Sequence, residues 1–134
     1  MKSSMITAFA LALAVQAGST EAADRDFRKA FVIANPTTAT LRYSFEWGGD
    51  GNWETRTILP GTWRAHTCGF ELFQSPPTAR VRFDYVCGDD QFSSKTYRVE
   101  TNFVTEVTES EVLQATQYNF RYSRSGRYLD LYKK

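Results

Sequence analysis

One histidine, two cysteines and a scatter of carboxylates, arginines and tryptophans are the residues of this chain that could do chemistry. His66 is the only imidazole, so any Ser-His-Asp or Cys-His centre would have to be built on it. The surrounding sequence does not supply the rest of such a centre. No serine sits in a Gly-x-Ser-x-Gly turn, and Cys68 and Cys87 are the only thiols. A lone histidine cannot complete a zinc site, and no CxxC pair accompanies it, so no metal or cofactor is expected. Glycoside hydrolysis needs two carboxylates at a set separation, one with a raised pKa. Glu46 and Glu54 could face each other, with Asp84 as a further acid, but polar, wet strand faces would not raise a carboxyl pKa. Asp50 with Asn52, and Asp89 with Asp90, offer fragments of the six to eight oxygens a calcium ion takes. Both pairs are also ordinary turn formers.

The aromatics are the more informative feature. Trp47, Trp53 and Trp63 stand among seven tyrosines and ten phenylalanines. Trp47 is in phase with a buried face, whereas Trp53 and Trp63 adjoin turns, where an aromatic can stack on a sugar ring or anchor a protein partner. Trp53, Trp63 and His66 are therefore the candidate binding residues, and no residue is assigned a catalytic role. Arg42, Arg56, Arg64, Arg80, Arg82 and Arg98 project mostly from polar faces among Glu46, Glu54, Asp84 and Glu100. That interleaving fits cross-strand ion pairs and edge protection, with an anion-binding face as the alternative.

The elements that must position these groups are strands. Leu41, Tyr43, Phe45 and Trp47 alternate with Arg42, Ser44 and Glu46, the period-two pattern of a half-buried strand. Turn formers fill 48–52, and a β-rich stretch resumes at Trp53, so 40–59 reads as a hairpin with Trp47 and Trp53 close together at its tip. Leu59-Pro60-Gly61 is a second turn, and 62–67 a third strand with Trp63, Ala65 and Thr67 on one face and Arg64, His66 and Cys68 on the other. Pro76 and Pro77 interrupt the ladder pattern. Val81, Phe83, Tyr85 and Cys87 then share a face opposite Arg80, Arg82 and Asp84. Shorter alternations follow around Tyr97, across 118–122 and across 127–132, and Phe31-Val32-Ile33 adds a strand near the start. Residues 102–116 read as an irregular, acidic connection with one helical turn near 111–115. Regular short strands between turns predict an all-β fold, a single antiparallel β-sandwich of about seven or eight strands.

The first residues read differently. Lys2, an apolar run over Met5–Val15 and small residues after it form the pattern of a secretory signal, with cleavage expected after Ala17, or as late as Ala23. The run is shorter than the ~20 residues that span a bilayer, so no membrane insertion is expected once the signal is removed. The domain then occupies 24–134, and the protein is expected to be secreted or periplasmic. In that setting an even cysteine count predicts a Cys68–Cys87 disulfide, worth ~3 kcal/mol for a loop of about twenty residues. Net charge is +1 over the 134 residues, too small for a field that gathers nucleic acid.

One set of turn motifs is shared with a known family. Phe31-Val32-Ile33-Ala34-Asn35-Pro36-Thr37, then Leu59-Pro60-Gly61-Thr62 and Arg64-Ala65-His66-Thr67, resembles the β-domain of the von Hippel-Lindau tumour suppressor family over about residues 31–73. The rest of the chain looks like a small exported bacterial protein. The resemblance implies a β-sandwich. That family binds hydroxyproline peptides in a pocket, of which His66 and Thr67 would be the counterparts here. The other pocket positions read as Thr55, Glu71 and Phe73, and no segment reads as the family's ubiquitin-ligase helical part, so architecture carries over and activity does not. The functional expectation is an exported, non-enzymatic binding module that recognises a protein or a carbohydrate through loops and aromatics. A small carboxylate-dependent hydrolase, and a structural envelope protein or secreted inhibitor, are the alternatives.

Overall fold

The structure, a computed structural model, describes residues 28–71, 73–88, 92–104 and 109–134. The leader-like segment, Asp89 and Asp90 lie outside the described residues. Nine strands are described: β1 (Arg28–Asn35), β2 (Leu41–Trp47), β3 (Glu54–Ile58), β4 (Thr62–Gly69), β5 (Ala79–Asp84), β6 (Ser94–Val99), β7 (Asn102–Val104), β8 (Thr116–Tyr122) and β9 (Leu129–Lys133), with one short helix, α1 (Glu109–Val112). They form two sheets. One runs β3-β2-β5-β6; the other runs β4-β1-β8-β9, with β7 added to β1.

The period-two segments explain why the sheets close on each other. Leu41, Tyr43 and Phe45 of β2 and Ala79, Val81 and Phe83 of β5 meet Phe31 and Ile33 of β1, Phe120 of β8 and Leu131 of β9 in one buried cluster. Each strand contributes alternate residues to that shared interior, which gives the all-β chain a sandwich-like arrangement. β1 departs from the alternation because it is buried on both sides. Its Ala30 and Val32 face away from the main core and pack with Ala65, Val104, Val112 and Ala115 in a second cluster. That outer layer is the segment around 102–116 that reads as irregular in sequence. Three apolar anchors in an acidic stretch are enough to hold it down, and they give no periodic signal.

Two expectations about the scaffold are corrected. The sandwich is not purely antiparallel: Phe31–Ala34 of β1 pairs in parallel with Thr116–Asn119 of β8. Parallel neighbours need a long crossover, and here it carries the whole of the opposite sheet. Nor do Cys68 and Cys87 form a disulfide; both are free. Cys68 lies on β4, one edge of the five-stranded sheet. Cys87 follows β5, and its amide donates to the Arg127 carbonyl at 2.8 Å, beside the turn into β9 at the other edge. Three strand spacings of 4.7–4.9 Å put these edges ~14 Å apart, whereas a disulfide needs Cα atoms within about 7 Å. Cys87 does pack against the core, as its phase predicts; cysteine parity alone suggested a partner.

Turn chemistry locks the corners. Asn35 is fully buried. Its amide donates to the Ala39 carbonyl at 2.7 Å and the Ile58 carbonyl at 3.1 Å, and its Oδ1 accepts from the Thr37 amide and hydroxyl. The Asn35 carbonyl takes the Gly61 amide at 2.7 Å, and Gly61 has the positive φ of 71° that the Pro60-Gly61 turn requires. One asparagine thus joins the end of β1 to the turn between β3 and β4.

Burial pushes both thiols above the usual cysteine range, so neither is a reactive thiolate at neutral pH. A thiol assay on unreduced protein in denaturant should count two free thiols, and a reducing agent should leave the melting temperature unchanged. A mass short by two hydrogens, restored on reduction, would contradict this.

Candidate functional site

Of the three residues singled out for binding, His66 is the most deeply placed. It faces inward from β4 opposite Phe31 and is completely buried. The Phe45 ring stacks on it at 3.9 Å, and Phe31 lies 5.2 Å away. Its Nε2 is 2.6 Å from the Tyr43 hydroxyl, which crosses from the other sheet. Nδ1 is buried without a hydrogen-bond partner. Either tautomer of the neutral ring leaves that nitrogen unsatisfied, at a cost of about 1–3 kcal/mol. Burial, reinforced by the Arg56 and Arg64 guanidinium groups, lowers the His66 pKa to about 3. Tyr43 is shifted upward by the same burial. A neutral imidazole sealed among aromatic rings cannot reach a substrate; it ties the two sheets together.

Arg56 and Arg64 stand in the core-facing phase at the seam between the edge strands β3 and β4 rather than on an outer face. Arg56 pairs opposite Tyr43, lies 5.4 Å from the centre of the Phe45 ring, and binds Glu54 on its own strand at 2.9 Å. Arg64 donates to the Thr57 carbonyl at 2.9 Å and so joins the two sheets along this edge.

The carboxylates do not converge. Glu54 is paired opposite Phe45, which places it on the core-facing side of the strand, whereas Glu46 lies in the outward phase. Glu46 is nevertheless buried, because Arg80, directly opposite on β5, grips its Oε1 through Nε and Nη2, and the Gly51 amide donates to Oε2 at 2.8 Å. With Oε1 taken by the guanidinium and Oε2 by a backbone amide, the carboxylate has both oxygens engaged inside the protein. Asp50 and Asn52 bond to each other within their turn. Among the described residues no group of three or more His, Cys, Asp or Glu could hold a metal ion.

The outer face of the four-stranded sheet is where functional groups gather. Register sets Thr55, Ser44, Arg82 and Thr96 in one row across β3, β2, β5 and β6, with Arg42 and Asp84 flanking it. An open groove of about 440 Å³ is lined by Arg42, Ser44, Thr55, Arg82, Asp84 and Phe92. Ser44 and Thr55 hydroxyls bond across the strands at 2.9 Å. Trp53 belongs to this face: its ring carries the Arg82 guanidinium at 4.1 Å and that of Arg80 at 5.5 Å. It is not beside Trp47, as the hairpin reading expected. Trp47 points inward onto Phe31 at 5.4 Å, because it lies two residues past Phe45 and shares its face, whereas Trp53 lies one residue before Glu54, the partner of Phe45, and takes the opposite face. Trp63 is on the outside of the other sheet, half-buried against the second cluster. Trp53, Trp63 and His66 therefore occupy three different surroundings.

Among the described residues, cross-strand ion pairing of these arginines is realised in Glu46–Arg80. Among the described residues no ion pair neutralises Arg42, Arg82 or Arg98. Sequence reasoning missed Tyr43 as the partner of His66 and Phe92 as part of the groove. Phe92 is 68 % exposed and lies outside the strands, where no periodic signal exists. Comparison with known proteins adds no relative: no family model matches the chain, and no curated protein matches it.

The buried imidazole has a measurable consequence. Above pH 6.5 the folded and unfolded chains both hold His66 neutral, and its contribution is constant. Between pH 6.5 and about 3 only the unfolded chain takes up the proton, so stability falls as pH falls, by about 1.4 kcal/mol per pH unit. Urea unfolding at pH 7 and pH 4 should show wild type losing ~3 kcal/mol more than His66→Gln, which keeps a hydrogen-bonding side chain and does not titrate. Equal acid losses in the two proteins would show that His66 is not buried neutral.

Proposed function

We propose that this chain is an exported, non-enzymatic binding module, and that it takes its ligand on the outer face of the four-stranded sheet. The observation that carries the reading is the contrast between the two sides of that sheet. The inner side is taken up by Tyr43, Phe45, Val81 and Phe83, which are packed into the core. The outer side has an open groove within the size range of ligand sites, with two arginines that form no ion pair among the described residues and an exposed phenylalanine at its rim. Export rests on the charged start, short apolar run and small residues of the first 23 positions. The likeness of residues 31–73 to the von Hippel-Lindau β-domain agrees with a two-sheet architecture. It lends no support to a shared peptide pocket, because His66, the counterpart residue, is enclosed.

Immobilised wild-type protein, the Arg42→Ala/Arg82→Ala double variant and His66→Gln should be compared in binding screens against envelope glycans and envelope proteins. The expected result is a ligand bound by wild type and His66→Gln and held at least tenfold more weakly by the arginine variant. A ligand indifferent to Arg42 and Arg82 but lost in a folded His66→Gln protein would overturn the reading, as would catalytic turnover abolished by that substitution.

A further inference from the structure

The groups around the groove are specific enough to name a ligand class. Resting on the outer-face reading above, we infer that the ligand is an acidic polysaccharide whose sugar rings carry carboxylates, a polyuronate. Arg82 supplies the anion contact. Its guanidinium lies on Trp53 at 4.1 Å, and this stacking fixes the planar fork that a carboxylate accepts from two N–H groups. Arg42 sits diagonally across, one pleat from Ser44, which is the residue opposite Arg82. Diagonal positions on neighbouring strands are ~7–8 Å apart, within reach of two long side chains closing on one anion.

Charge alone does not describe the groove. Asp84 lines it two residues along β5 from Arg82. Its Oδ1 accepts from the Val86 and Ser93 amides, at 3.3 and 3.2 Å, which orients the carboxylate. Asp84 thus brings a carboxylate acceptor to the groove for a ligand hydroxyl. The same negative charge disfavours a densely charged ligand such as a polyphosphate or a nucleic acid, which would need an unbroken basic surface. The Ser44–Thr55 hydroxyl pair spends one proton on its mutual bond and retains one proton and free lone pairs for a ligand. Phe92 gives the apolar surface on which the C–H face of a sugar ring packs. A carboxylate, several hydroxyls and an apolar ring face on one small unit describe a uronic acid. The groove is open rather than enclosed, which suits a chain lying across the strands.

Calorimetric titration of the purified protein with oligomers of galacturonate, glucuronate, mannuronate and guluronate tests the inference. Controls are methyl-esterified oligogalacturonate, poly-glutamate and inorganic polyphosphate. At least one uronate oligomer should bind, weakening with salt. Its affinity should fall at least tenfold in Arg82→Ala and several-fold in Phe92→Ala, and esterified oligogalacturonate should bind at least tenfold more weakly than its acid form. Binding of poly-glutamate or polyphosphate as tight as that of every uronate would overturn the inference in favour of simple anion capture. Equal affinity for the ester and the acid, or binding that survives loss of both Arg42 and Arg82, would overturn it too. If no uronate binds while another ligand is bound through Arg42 and Arg82, the ligand class is wrong and the outer-face reading stands. If no ligand depends on those arginines, both fall.

Discussion

Two sheets of modest size can be stable only if they share one interior, and this constraint organises everything else in the molecule. Tyr43 and Phe45 from one sheet meet Phe31 and Phe120 from the other, with His66 enclosed among them. The interior is aromatic and aliphatic packing, with the Tyr43 hydroxyl and the imidazole bonded to each other inside it. Apart from His66 Nδ1, the buried polar side chains at the corners and on the outer face are paired. Asn35 satisfies its amide within the turns it joins, and Glu46 is neutralised by Arg80.

The same constraint shapes the edges. β3 and β4 are the outermost strands of their sheets and lie next to each other. Edge strands with free backbone groups invite pairing with other chains. Here Glu54 and Arg56 place charges in the core-facing phase of β3, and Arg64 occupies the Thr57 carbonyl. Two of the six strand arginines therefore close a seam, one neutralises a buried acid, and the remaining three are left to a surface role on the outer face of β2, β5 and β6.

How much of this is legible in the sequence follows from where a local signal exists. β2 and β5 are readable residue by residue because one of their faces is wet, and alternation survives. β1 is only partly readable, since burial on both faces erases the alternation. β7 and α1 are not readable, because their hold on the core consists of isolated apolar residues. Pairing is a tertiary property: no feature of 31–34 or 116–119 announces that they run in parallel, and cysteine parity says nothing of edge-to-edge distance. For the candidate site, the outward phase of Arg42, Arg82 and Arg98 could be read off, but the core-facing placement of Arg56 and Arg64, and which acids neutralise which arginines, could not. His66 was singled out for its chemistry, yet its role is set by Tyr43 and Phe45, residues that a one-dimensional reading assigns only to the core. The groove was missed because two of its strands, β2 and β5, are more than thirty residues apart along the chain.

The central claim is that the facing sides of the two sheets form one solid interior, with recognition confined to the outside. Amide hydrogen exchange resolved by residue measures this most directly. The account predicts the slowest exchange in the central strands β1, β2, β5 and β8, and much faster exchange at β3, β6 and the 48–52 turn. Exchange that is uniformly fast across the central strands, or protection concentrated in β3 and β6, would contradict it.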